Sequence, residues 1–153
     1  MRSLPLIIGL LVLTHFTVLA NDSSNSQQAI ERAVLDYIES QQHVKPQLMA
    51  RGLDDKLAKR TYWLDKEGNE FIMETSRDFM VELAGNYNVK GDKFPKEPRI
   101  EIQILDIDQR VASVKLTVDD WIDYMHLYQN QSGQWKIINV LWQYHDTKLQ
   151  QSK

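Results

Sequence analysis

Ala112-Ser113-Val114-Lys115-Leu116-Thr117-Val118-Asp119-Asp120-Trp121-Ile122-Asp123-Tyr124-Met125-His126-Leu127 reads as two strands about a tight turn. Apolar and polar side chains alternate on both sides of Asp119-Asp120, the period of a strand with one buried face. A two-residue turn there pairs Val118 with Trp121, Leu116 with Asp123, Val114 with Met125 and Ala112 with Leu127. Opposed residues share a face, so these eight lie together, and Asp123 is the one charged side chain among them. A lone carboxylate in such company is costly unless it is paired or borders a wet cavity. Asp123 is therefore the most informative position in the chain.

Outward from this hairpin, residues 99–107 and 134–144 read as further strands, giving a four-strand meander. A four-residue turn at Asn130-Gln131-Ser132-Gly133 pairs Gln129 with Gln134. It places Ile138, Val140 and Trp142 on the face of Asp123, with Val140 opposite Asp123 and Trp142 opposite Trp121. The other face then carries Tyr124, His126 and Tyr128, with Trp135, Ile137, Asn139 and Leu141 from the last strand. It is either a solvated face or a sheet-to-sheet dimer contact, where Tyr and Trp are enriched. The expected dimer face is Tyr124, Tyr128, Trp135 and Asn139. A slip of one residue in the second turn exchanges the faces of the last strand.

Before the meander the period is helical. Ile30, Val34, Tyr37 and Ile38 recur at i, i+4, i+7 and i+8, predicting a helix that ends near Gln41. Pro46 suits the first turn of a second helix, with Leu48 and Met49 inward and Gly52 as its stop. Asp54 precedes a short turn carrying Leu57 and Ala58. Residues 61–65 and 70–75 form a hairpin around Lys66-Glu67-Gly68-Asn69. A third helix opens at 75–78, buries Phe79, Met80, Leu83 and Ala84, and has Gly85 at its C′ position. Helices first and a meander last predict an α+β domain, with helices covering one face of an antiparallel sheet.

The 153 residues suit one domain, and 42 % apolar with 25 % charged residues is a globular balance. A net charge of −3 offers no basic field, so nucleic acid is not an expected partner. The chain has no cysteine, which removes disulfides, thiolate metal sites and cysteine nucleophiles. Met1-Arg2-Ser3 followed by an apolar run to Leu13, with Val18 and Ala20 at the −3 and −1 positions, has the layout of a secretory signal peptide. His15, Thr14 and Thr17 make residues 4–20 short and polar for a bilayer span, so no stable membrane anchor is expected. Cleavage after Ala20 removes one charge, Arg2, and leaves a net of −4 on a periplasmic or secreted chain. The expected division is a signal peptide at 1–20, a polar leader at 21–27, a single domain at 28–146 and a polar tail at 147–153.

Familiar catalytic patterns are missing. His43, His126 and His145 show no metal-ligand spacing, and no metal or cofactor is expected. The glycines form no phosphate loop, and no Gly-x-Ser-x-Gly occurs. Two readings remain for Asp123: a fold-stabilising carboxylate bonded to a backbone amide or Arg60, or an acid or base in an apolar pocket. Trp63, Trp121, Trp135 and Trp142 form either core or an aromatic box.

The ordered set of segments at 29–38, 57–60, 112–115, 121–127 and 133–142 resembles the nuclear transport factor 2-like superfamily. Within it the chain is similar to the putative lumazine-binding branch, near the polyketide-cyclase-like group. The resemblance spans residues 28–145. It implies a cone of curved sheet closed by helices, a pocket at the open end, and dimers formed through the sheet. It also implies relatives that isomerise or dehydrate with Asp and His in the cone, and others that only bind. The family's Asp-Tyr falls on Asp123-Tyr124. A His-Pro found in many members is replaced here by Asp54-Asp55, so that histidine's role has no bearer.

Three functions follow as expectations. The first is an exported binding protein whose apolar pocket, walled by Trp63, Trp121, Met125 and Trp142, holds a small planar ligand anchored by Asp123 and Arg60. The second is a cofactor-free isomerase, dehydratase or cyclase with Asp123 as general base and Tyr62 or His126 as proton donor. The alternation puts His126 on the face opposite Asp123, which weakens that partnership. The third is an accessory module that binds a partner protein through its sheet.

Overall fold

The computed structural model describes the backbone of residues 14–153 and the side chains of residues 24–153. Most of the expected signal peptide at 1–20 lies outside the described residues. Three helices, α1 (Thr14–Gln42), α2 (Pro46–Gly52) and α3 (Arg77–Asn86), accompany six strands. These are β1 (Leu53–Leu64), β2 (Glu70–Thr75), β3 (Ile100–Asp108), β4 (Val111–Val118), β5 (Trp121–Gln129) and β6 (Trp135–Tyr144). The strands form one curved, unclosed sheet in the order β2-β1-β6-β5-β4-β3. The α+β cone read from the sequence is the architecture observed.

Four local expectations are corrected. The sheet is mixed rather than wholly antiparallel, because β1 runs parallel to β6. The turn expected around Leu57 and Ala58 is instead the first half of β1, which that parallel ladder holds extended. Gly85 lies inside α3 rather than beyond it; the helix continues to Asn86, with Tyr87 as its C-cap. The stretch 21–27, expected to be a loose leader, is part of α1. Neither Gly nor Pro occurs between Thr14 and Gln42 to stop a helix there.

The β4–β5 register is the expected one: Leu116 opposes Asp123, Val114 opposes Met125 and Ala112 opposes Leu127. In β5–β6 the register differs. Gln129 opposes Trp135 and Leu127 opposes Ile137, then Ile138 is an extra residue, and Met125 opposes Val140. Such a bulge reverses which side chains face the core. Trp135 and Ile137 are therefore buried before it, and Val140 after it. Asp123 consequently faces Trp142, and Trp121 faces Tyr144.

The helices pack on the inner face of the sheet. Ile30, Val34, Tyr37 and Ile38 of α1 meet Val114, Leu116, Met125, Leu127 and Val140 in one continuous core. A Cβ at Gly52 would lie 2.9 Å from the Ala33 carbonyl oxygen, so glycine permits the close approach of α2 to α1. Buried Asp36 fixes the same junction, accepting from Arg32 Nε at 3.0 Å and from Arg51 Nε and Nη2 at 2.6 and 2.7 Å.

Candidate functional site

Alternation along β1 sends Leu57, Lys59 and Thr61 to the inner face, where all three are buried. Lys59 thereby reaches Asp123 across β6. Its Nζ donates to Asp123 Oδ1 at 2.9 Å and to Tyr37 Oη at 2.8 Å. Trp121 Nε1 donates to Asp123 Oδ2 at 2.8 Å, and Tyr37 Oη–H makes a longer bond to Oδ1 at 3.4 Å. Both carboxylate oxygens are thus occupied, and Asp123 is fully buried. Desolvating two charges costs several kcal/mol each, which only close pairing and added hydrogen bonds offset. This network has both.

Burial lowers the pKa of Lys59, while the charge and hydrogen bond of Asp123 oppose that shift. Burial, then the charge of Asp123, raises that of Tyr37 well above the ordinary phenol value of 10.0. A raised pKa means that the fold favours the proton, so the Tyr37 contribution to stability is complete below pH 10 and is lost as pH rises through the folded-state pKa. Lys59 acts in the opposite sense, and only up to its unfolded value of 10.5. Above pH 10.5 the chain is therefore expected to lose stability steadily, and Tyr37→Phe to lose less over the same interval. Urea midpoints between pH 9 and 12 check this; parallel curves for the two proteins would remove Tyr37 as the cause.

Lys59, Trp121, Trp142 and Tyr144 of the sheet line a cavity of about 100 Å³, together with Tyr37 and Tyr87. Met80 and Leu83 of α3 form an apolar wall. A wider cleft of about 700 Å³ between α3 and the β1–β2 edge shares Lys59, Met80, Leu83 and Trp142 with it. The aromatic side chains are mutually packed. Trp142 lies 5.2 Å from Tyr144, edge to face, and 6.2 Å from Trp63 between ring centres. Lys59 Nζ sits 4.8 Å from the Trp142 ring centre, a cation–π distance. Phe94, from the loop after α3, covers Trp121 at 6.2 Å and meets Tyr87 at 5.9 Å.

The expected site residues divide accordingly. Trp121 and Trp142 line the cavity, Trp63 supports Trp142 from behind, and Asp123 lies beneath Lys59. Met125 is core rather than wall. Arg60 is not the partner of Asp123. It points away from it, half-exposed at the rim of the wider cleft, and pairs with Glu74 Oε1 at 2.8 Å. Tyr62 and His126 alternate to the outer face, so neither can exchange a proton directly with Asp123. On that outer face Tyr124 and Asn139 are exposed, and Tyr128 is partly covered, donating to Asp54 Oδ2. Trp135 does not belong there; the bulge turns it into the core at 4 % exposure.

Lys59 and Tyr37 in the buried network, and Gln41, Tyr87 and Tyr144 on the cavity wall, are site residues that the sequence reading missed. The signal for Lys59 is the alternation Leu57-Lys59-Thr61-Trp63, visible once β1 is allowed to begin at Leu53. Tyr37 counts as apolar in the helical pattern, which hides its hydroxyl.

The expected polar tail also takes part. After a short 3₁₀ turn (Thr147–Leu149), Gln150 is buried; its Oε1 accepts from Tyr144 N at 3.0 Å, and its Nε2 donates to Thr61 Oγ1. Leu64 N donates to Gln150 O, and Ser152 N to Leu64 O, while Trp63 Nε1 donates to Ser152 Oγ at 3.1 Å. The segment holds Trp63 and Tyr144 beside the cavity. Gln150→Ala takes the acceptor from the Tyr144 N–H and one bond from Thr61 Oγ1, which still donates to Trp142 O, and is expected to cost about 1–3 kcal/mol. Urea denaturation measures this, and a change within error would show that the tail detaches without loss.

Among the described residues no His, Cys, Asp or Glu gather in threes as a metal site would require. No described helix is long and apolar enough to cross a membrane.

Residues 25–143 match the family described as putative lumazine-binding. A comparison with curated proteins gives no significant match. Among solved structures, a nuclear transport factor 2-like protein of unknown function from Shewanella baltica superposes with a TM-score of 0.60 at 16 % identity, over 80 % of this chain and 95 % of that one. Another from Silicibacter pomeroyi gives 0.61 at 16 % identity, over 80 % and 98 %. A superfamily member from Salmonella enterica gives 0.51 at 12 % identity, over 80 % and 92 %. At these identities the likeness is one of fold.

Proposed function

Because the chain belongs to the putative lumazine-binding family within the nuclear transport factor 2-like superfamily, we propose that it is an exported protein that binds a small planar organic molecule. The observation that carries this reading is the aromatic cavity above a buried, hydrogen-bonded ion pair. Trp121, Trp142, Tyr87 and Tyr144 supply flat apolar surface and Lys59 one polar anchor, the composition of a small-ligand site; the cavity of about 100 Å³ takes the anchored end of the ligand, and the adjoining cleft of about 700 Å³ takes its body. Export rests on the leader pattern at residues 1–20. The proton-transfer alternative is less well supported. A general base needs a free oxygen within reach of substrate, whereas both oxygens of Asp123 are engaged and lie below the wall.

Native mass spectrometry of protein purified gently from its own host tests the binding reading. The expected spectrum shows a non-covalent small-molecule adduct that is lost in Trp142→Ala. An adduct that persists in the variant would place the ligand elsewhere.

A second copy is the proposed partner for the outer sheet face. Tyr124 and Leu141 are adjacent and exposed there, flanked by Lys115 and Arg60. Tyr124→Glu is then expected to give monomers in sedimentation velocity. A dimer that survives the substitution would exclude this face.

A further inference from the structure

Most of the polar side chains bordering the cavity can donate a hydrogen bond. Lys59 carries three N–H groups and spends two, on Asp123 Oδ1 and Tyr37 Oη. Its third has no hydrogen-bond partner among the described residues, and the ammonium sits 4.8 Å from the centre of the Trp142 ring on the cavity wall. Tyr87 and Tyr144 add phenol hydroxyls, and burial is the main cause that raises the pKa of both, so they stay protonated donors at neutral pH. The indole N–H of Trp142 is buried without a hydrogen-bond partner among the described residues, a loss that an acceptor placed beside it would remove. Asp123 is the carboxylate that would attract a cation. It is screened by Lys59, Trp121 and Tyr37 and is not on the wall. Among the lining side chains, the Gln41 carbonyl is the one oxygen that can only accept; the three phenol oxygens can also donate.

We propose that the cavity selects flat ligands bearing an anionic or strongly accepting oxygen, a carboxylate or an enolate, and rejects flat cations. This rests on the binding reading above and adds the chemical class. The accepting oxygen takes the third Lys59 N–H, with the phenols of Tyr87 or Tyr144 as further donors. The ring lies along Trp142, which borders both the cavity and the wider cleft. A ligand ammonium in the same place would meet the Lys59 charge with its counter-charge already engaged, and would find few acceptors.

Three probes of one shape test this on the full chain by titration calorimetry at pH 7: 2-naphthoate, 2-naphthylmethanol and 2-naphthylmethylammonium. The expected order is naphthoate first, the alcohol next and the ammonium last, with about tenfold or more between the extremes. The variant Lys59→Met/Asp123→Leu, which removes the pair without leaving a lone charge, is expected to bind the three within a few-fold of one another. If the ammonium binds as tightly as the naphthoate, or if the double variant keeps the full preference, the selectivity proposal is overturned and the binding reading stands. If no probe binds, the binding reading for planar molecules fails, and the selectivity with it.

Discussion

Lys59→Met is expected to destabilise the protein by about 3–5 kcal/mol, the cost of leaving one member of a buried ion pair alone. Domains of this size are stable by about 5–15 kcal/mol, so the variant stands at the edge of folding. The effect arises because Asp123 is completely buried and cannot be rehydrated when its cation is gone. The Trp121 indole still donates to Oδ2, but Oδ1 retains only the long bond from Tyr37. Adding Asp123→Leu to Lys59→Met removes the orphaned charge, and is expected to return most of the loss, since apolar replacements of buried pairs are often neutral or better. Urea denaturation of both single variants and the double variant measures the coupling. A loss under about 1 kcal/mol for Lys59→Met would mean that the pair is solvated in solution.

Deletion of Ile138 is expected to cost about 4 kcal/mol or more. Ile138 is the extra residue that lets Trp135 and Ile137 face the core at one end of β6 and Val140 face it at the other. Without it, one half of β6 turns its apolar side chains to water and its polar ones inward. The core loses Trp135 and Ile137 from one half, or Val140 with the partly buried Trp142 and Tyr144 from the other, at about 1.5–3 kcal/mol for each large side chain fully buried. Ile138→Ala keeps the bulge, and is expected to lose far less because the side chain is only partly buried. Comparison of the two thermal unfolding curves isolates backbone register from side-chain packing. Equal losses would show that the bulge is not what sets the two faces.

The β4–β5 hairpin was legible because a two-residue turn and strict alternation leave one register, and Asp123 stood out as its one discord. The last strand was legible only in part. Its turn permits two pairings one residue apart, and the bulge at Ile138 uses both face assignments in succession. Alternation alone therefore put Trp135 and Ile137 outside. Lys59 was hidden by a different cause. The parallel β1–β6 ladder joins residues far apart in the chain, and the local alternation from Leu57 onward is broken by charged Lys59 on the inner face and preceded by Asp54, Asp55 and Lys56. The burial of Gln150 is likewise tertiary: a polar side chain becomes structural because Thr61 and the Tyr144 amide lie where it lands.

The proposed ligand site is the aromatic cavity over Lys59 and Asp123. The four tryptophans carry an internal control. Trp121 and Trp142 line the cavity and Trp63 packs on Trp142. Trp135 lies seven residues before Trp142 on the same strand, about 23 Å away at a strand's rise. The most direct measurement is the indole N–H region of a proton–nitrogen correlation spectrum during titration with 2-naphthoate. The Trp121 and Trp142 signals are expected to shift strongly and Trp63 less, while Trp135 stays in place. Movement of Trp135 alone, or of all four equally, would contradict this placement of the site.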